Sequence, residues 1–260
     1  MSGTGASTQP LRVERHENGA LWVVEIGEAK GNVIDTRMID ALISLFEEAT
    51  ETPELRVVCL HGRAGHFSYG ASIEEHLPEA VDEMLPRFHR LFRVMAESAV
   101  VCVAAIRGQC LGGGLELASF CHRVFAEPDA KLGQPEIALG VFPPVASLIL
   151  PERIGRANAE DLCLTGRVIS ATEAERIGLV DALTDEPENA ALEYAKRLAR
   201  HSASSLRFAV RALRYGLEKR IEEDLPALER LYLEELMFSA DAVEGLRAFM
   251  DKRAPTWRNE

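Results

Sequence analysis

The sequence predicts an α/β protein with a parallel sheet, completed by a helical carboxy-terminal region. Three observations predict it. Strand runs of the buried kind, rich in β-branched and small apolar residues, recur at 56–62 (RVVCLHG), 100–107 (VVCVAAIR) and 123–128 (RVFAEP). Helical periodicity fills the intervals between them, as strand–helix–strand crossovers require. From about Val145 onward the pattern is almost wholly helical.

Each element has its own signal. Two opening strands, LRVERH and ALWVVEIG, flank the turn residues Glu17-Asn18-Gly19. A helix is expected from about Thr36 to Thr50, because Met38, Ile39, Leu42, Leu45, Phe46 and Ala49 fall on one face at spacings of three and four. After the RVVCLHG strand and a polar, glycine-bearing loop, a second helical stretch runs from about Pro78 to Ser98. The VVCVAAIR strand leads directly into GQCLGGGLELA (Gly108 to Ala118), where a helix begins near Gly113. Further on, SATEAERIG places Ser170 as an N-cap, Glu173 as its capping-box partner and Gly178 as the stop. Stretches 192–201, 204–218 and 221–239 alternate apolar and charged faces.

The bulk numbers narrow the function. At 260 residues the chain fits one large domain, or a main domain with a smaller appendage. A net charge of −12 argues against nucleic acid and anionic membranes as partners. No apolar run reaches membrane-spanning length, and the opening MSGTGASTQP lacks the basic and apolar parts of a signal peptide, so a cytoplasmic setting is expected. The five cysteines form no CxxC pair and read as reduced, structural thiols; the seven histidines show no ligand spacing, so no metal site is expected.

Three glycines in a row cost conformational entropy and need a reason. GQCLGGG matches neither GxGxxG nor GxxxxGK[ST], which argues against a phosphate cradle. Close helix–strand packing is one remaining use. The other is an oxyanion site, because amides at a helix start have no intrahelical acceptor. Carboxylates at set offsets favour the latter. Glu116 falls in the first turn after Gly113, and Glu136 sits among Pro135, Ile137, Ala138, Leu139 and Val141. A glutamate buried in such company holds its proton to higher pH. Alone each reads as structural; together, beside the glycines, they fit general acid/base work. The upstream stretch GHFSYGASIEEHLPEA carries Gly70 and Ala71, whose backbone a ligand can approach, and by itself reads as an ordinary loop.

Taken together, AKGNVID, FSYGAS, AAIRGQCLGGGLELA, KLGQPEIALGVFPP, LTGRVISATEAERIGLVD and AFMDKRAPTW resemble the crotonase (enoyl-CoA hydratase/isomerase) superfamily over nearly the whole chain. The resemblance implies a ββα spiral core carrying the active site, residues 1–195, followed by a helical oligomerisation region, 196–260, that builds trimers, commonly paired into hexamers. It also implies an acyl-CoA thioester substrate, with coenzyme A part of the substrate and no separate cofactor. Carried over, the amides of Ala71 and Gly113 form the oxyanion hole, and Glu116 and Glu136 are the two hydratase carboxylates, Glu116 as water-activating base and Glu136 as proton donor. Ala29, Lys30, Ser72, Ile73 and Gly112 line the CoA groove, and Lys252 with Arg253 meets its phosphates. The family's usual aspartate after the oxyanion alanine is here Ser72; Tyr69 replaces a small residue, and Pro143-Pro144 a glycine-rich turn. These variants are similar to the branch that hydrates cyclic dienoyl-CoA thioesters, with Tyr69, Phe142 and Pro143 shaping the ring pocket. The general short-chain 2-enoyl-CoA hydratase and the non-catalytic binding protein of the same fold are the alternatives.

Overall fold

A run of apolar residues on every position, not every second one, calls for a strand covered on both faces. In the computed structural model, which describes residues 9–27 and 31–260, that is what surrounds β3 (Val57–Gly62) and β4 (Val101–Ile106). They form a six-stranded sheet with β1 (Leu11–His16), β2 (Leu21–Ile26), β6 (Arg123–Ala126) and β9 (Ala182–Leu183), in the order β1-β2-β3-β4-β6-β9. Only β1 and β2 pair antiparallel; Val23, Cys59 and Val103 stand abreast in the parallel part.

Alternation sorts the side chains. Val24, Val58, Leu60, Cys102 and Ala104 face α1 (Thr36–Thr50) and α2 (Val81–Ser98), whereas Val57, Cys59, Val101 and Val103 face α7 (Pro187–Leu198) through Ala191 and Ala195. The sequence places the bounds of α1 where they are found, and all six residues of its expected apolar face are buried. Asp35 caps it by accepting from Met38 N at 2.9 Å.

A second, smaller sheet went unread in the sequence. Strands β5 (Gln109–Leu111), β7 (Lys131–Gly133) and β8 (Val168–Ser170) pair in that order, β5 parallel to β7 and β7 antiparallel to β8. Three-residue strands are too short to show a period of two. Residues 109–111, just ahead of the glycines, form a strand, and the expectation of almost pure helix beyond Val145 is corrected by β8 and β9.

The helices around these sheets are α3 (Gly113–Phe120), α4 (Pro144–Ile154), α5 (Arg156–Thr165), α6 (Ala171–Arg176), α8 (Ala203–Glu223), α9 (Leu225–Arg230) and α10 (Ala240–Met250). At α6 the expected capping box is half formed. Ser170 Oγ accepts from Glu173 N at 3.2 Å, but the Glu173 carboxylate turns to Arg167, whose guanidinium is the stronger partner. The single helix expected over 221–239 is instead the end of α8, then α9, then a π-helical turn (Leu231–Glu235) and a 3-10 turn (Leu236–Phe238). Pro226, which lacks an N–H, starts the new helix after Asp224. Among the described residues no helix is long and apolar enough to cross a membrane, and no cluster of His, Cys, Asp and Glu is arranged to hold a metal ion.

Candidate active site

The small sheet brings the two glutamates together. Strand β5 ends at Leu111 and runs into Gly112-Gly113; its parallel neighbour β7 ends at Gly133 and runs into Gln134-Pro135-Glu136. Gly112 N donates to Gly133 O at 3.0 Å, so the two exits leave the sheet side by side. Exits from the carboxyl ends of parallel strands are where ligands commonly bind.

The FSYGAS stretch is laid on the other side of β5. Ser68 bridges Cys110, and Ala71 bridges Ile34. That second bridge uses Ile34 N to Gly70 O (2.9 Å) and Ser72 N to Ile34 O (3.2 Å), which leaves the Ala71 amide over. Gly113 opens α3, so its amide has no intrahelical acceptor. The two amides are close: a methyl at Gly113 would come 3.2 Å from Ala71 N.

Asn32 fixes this loop. Its Nδ2 donates to the carbonyls of Arg63 (2.8 Å), His66 (2.7 Å) and Phe67 (3.2 Å), and Ser68 Oγ both donates to Asn32 O and accepts from Gly70 N. His66 Nδ1 accepts from Gln109 N at 3.1 Å, tying the loop to β5.

Glu116 lies one turn into α3 and is 3 % exposed. Its Oε1 accepts from Ala146 N at 2.7 Å, at the start of α4, where unpaired amides and the helix dipole favour an anion. Burial outweighs this and pushes its carboxyl up to about 7. Glu136 is raised well above the usual carboxylate range, first by burial and then by the charge of Glu116. Of the two, Glu116 is the better supported as an anion and Glu136 the stronger holder of a proton. In the amide orientation that sets donor against acceptor, the fully buried Gln134 places Nε2 at 3.0 Å from both Glu136 oxygens.

Ala71, Gly113, Glu116 and Glu136 face one cavity of about 1230 Å³. Its wall includes Tyr69, Ala71, Ser72, Ile73, Gly112, Gly113, Glu116, Glu136, Phe142, Pro143, Lys252 and Arg253, so the structure gathers every one of these sequence-predicted residues. Ala29 and Lys30 lie outside the described residues. Tyr69 is half exposed and meets His66 edge-on, with ring centroids 5.1 Å apart. Arg253 is engaged by Glu244 at 2.9 Å, whereas Lys252 makes no ion pair among the described residues. Sequence reasoning missed Asn32, His66, Gln134 and Tyr232. Asn32 and Gln134 stood within the quoted AKGNVID and KLGQPEIALGVFPP stretches, but only long-range pairing shows what they hold.

Two amides left over by their secondary structure, set against the buried carboxyl of Glu116 and the half-buried one of Glu136 in one cavity, form an arrangement suited to polarising a carbonyl and moving protons beside it. The chain belongs to the enoyl-CoA hydratase/isomerase family, the crotonases: residues 16–260 match it. It is 50% identical over 254 residues to the cyclohexa-1,5-dienecarbonyl-CoA hydratase of Thauera aromatica, covering 97% of this chain and 98% of that protein. A probable enoyl-CoA hydratase of Mycobacterium bovis is 35% identical over 95% of this chain and 97% of its own length. Among solved structures, an enoyl-CoA hydratase/isomerase from Pseudoalteromonas atlantica superposes with a TM-score of 0.86 at 26% identity, over 95% of this chain and 99% of the other.

Proposed function

We propose that the chain adds water to a conjugated enoyl-CoA thioester in this cavity, and that the acyl group is a cyclic diene. The substrate is then cyclohexa-1,5-diene-1-carbonyl-CoA and the product 6-hydroxycyclohex-1-ene-1-carbonyl-CoA. The observation that carries the reaction is the Ala71 and Gly113 amide pair beside a buried and a half-buried glutamate of unequal proton affinity. The likeness to the Thauera enzyme supports the ring.

In this reading the thioester oxygen accepts from both amides, each supplying about 3 kcal/mol of barrier lowering as charge develops. Glu116 takes a proton from water, and the water oxygen bonds to the β-carbon. The β–α electron pair moves into the thioester as an enolate, extended through the second double bond. Glu136 delivers its proton to the far carbon of that system. The remaining double bond then lies between the α-carbon and the next ring carbon, still conjugated with the thioester. Proton transfer from Glu116 back to Glu136 resets the pair, so the net addition is one water. Tyr69, Phe142 and Pro143 hold the flat ring; Ser72, Ile73, Gly112 and Lys252 face the coenzyme A portion, which is part of the substrate. No metal or separate cofactor enters the scheme, and the protein works in the cytoplasm.

The test compares kcat/KM for the cyclic dienoyl-CoA and for crotonyl-CoA in a spectrophotometric hydration assay. The ring substrate is expected to win by at least about tenfold, a discrimination within reach of pocket shape. The opposite order would make this a short-chain 2-enoyl-CoA hydratase, and no turnover of either would make it a binding protein.

The helical region 196–260 is proposed to build a trimer or a dimer of trimers. Phe208, Leu213 and Tyr215 on α8 are 65%, 85% and 75% exposed, and Phe238 is 84% exposed, more apolar surface than water tolerates well in one stretch. Light scattering is expected to give three or six times the 28.6 kDa chain mass; a monomer at micromolar concentration would overturn the assignment.

A further inference from the structure

Tyr232 is 1 % exposed, lines the cavity, and its hydroxyl has no hydrogen-bond partner among the described residues. Among the described residues, none of the other buried side-chain atoms without a partner, from Trp22 Nε1 to Glu218 Oε1, belongs to this wall. A buried phenol normally finds a partner, and leaving one unmade is costly. The ring is seated against Phe142, with centroids 5.3 Å apart, so Tyr232 backs the wall assigned to the ring of the substrate. It is presented by the π-helical turn Leu231–Glu235, a wide turn that recurs where a side chain is re-aimed at a functional site.

We propose that the missing partner is the oxygen being added: the Tyr232 hydroxyl hydrogen-bonds the reacting water before the step and the ring hydroxyl of the product after it. Burial, then the charges of Glu136 and Glu116, push the phenol up, so it stays a neutral O–H within electrostatic reach of both carboxyls. It therefore orients the oxygen and leaves the proton transfer to the glutamates. The inference rests on the hydration reading above and adds a contact that the amide pair and the carboxyls do not supply.

Tyr232→Phe keeps the ring and its packing on Phe142 and removes only the hydroxyl. Its kcat is expected to fall about tenfold, the effect of one neutral hydrogen bond, with KM for the thioester little changed. The decisive readout is inhibition of the forward assay by its own product and by an analogue that lacks the product's hydroxyl. The Ki of 6-hydroxycyclohex-1-ene-1-carbonyl-CoA is expected to rise about tenfold in the variant, while that of cyclohex-1-ene-1-carbonyl-CoA, which lacks the hydroxyl, stays put. If crotonyl-CoA proves the better substrate, 3-hydroxybutyryl-CoA and butyryl-CoA replace them. Thermal melting of the variant at or above the wild-type value shows that the fold is kept. Equal changes in both Ki values, or none, would overturn the role of Tyr232 while wild-type turnover still upheld the hydratase reading. An inert wild type would overturn both.

Discussion

Glu116→Gln and Glu136→Gln are each expected to lower kcat by more than about 100-fold, with the acyl-CoA still bound. Glutamine keeps the length and an acceptor oxygen, so Ala146 N retains its bond at position 116. What is lost is the basic carboxylate in the first variant and the transferable proton in the second. The wild-type rate is expected to follow a bell: it climbs as Glu116 loses its proton near pH 7 and declines at higher pH as Glu136 loses its own. Stability moves the other way from activity. Both carboxyls hold protons more tightly folded than unfolded, so the folded state binds more protons above the ordinary value of 4.5. The fold is favoured below that pH and loses stability as the pH rises through the folded values; for Glu116 the loss is on the order of 3 kcal/mol. Each glutamine variant should therefore melt higher than wild type at pH 8 and match it near pH 4. Near-normal kcat in both variants would remove the acid/base scheme, and a lower melting point at pH 8 would show that the carboxylates stabilise the fold.

The parts of the site legible in the sequence are those whose signal is local. Glu136 was recognisable because Pro135, Ile137 and Ala138 make its surroundings apolar, and Glu116 because it follows the glycines by a fixed offset. Both signals are local. The large sheet and α1 were legible for the same reason: β3, β4 and the 15-residue α1 are long enough to show their periods. The pairing of β5 with β7, which sets the glutamates side by side, was not. It rests on three-residue strands whose partners lie some twenty residues on, and such short strands carry no pattern of their own. Tyr232 was hidden for a related cause. The stretch 221–239 has helical periodicity throughout, and nothing local marks the wide turn that aims one tyrosine into the cavity.

Gly112→Ala is expected to reproduce most of the loss seen in Glu136→Gln, although it touches no reacting group. Gly112 has φ 49° and ψ −129°, a conformation that side chains rarely adopt, and a methyl there would lie 2.6 Å from Glu136 Oε1. The backbone strain costs roughly 1–3 kcal/mol of stability, and the carboxyl must move. Because proton delivery demands placement to within a fraction of an ångström, kcat should fall on the order of 100-fold. Gly155→Ala separates the two effects: Gly155 also has positive φ (77°), yet a methyl there meets nothing within 4 Å, so it should lose stability and keep kcat. Combining Gly112→Ala with Glu136→Gln is the sharper measurement. If the glycine acts through that carboxyl, the double variant is scarcely slower than either single one, because both remove the same proton donor. Multiplicative losses would mean instead that Gly112 serves the site by another route, through the neighbouring Gly113 amide.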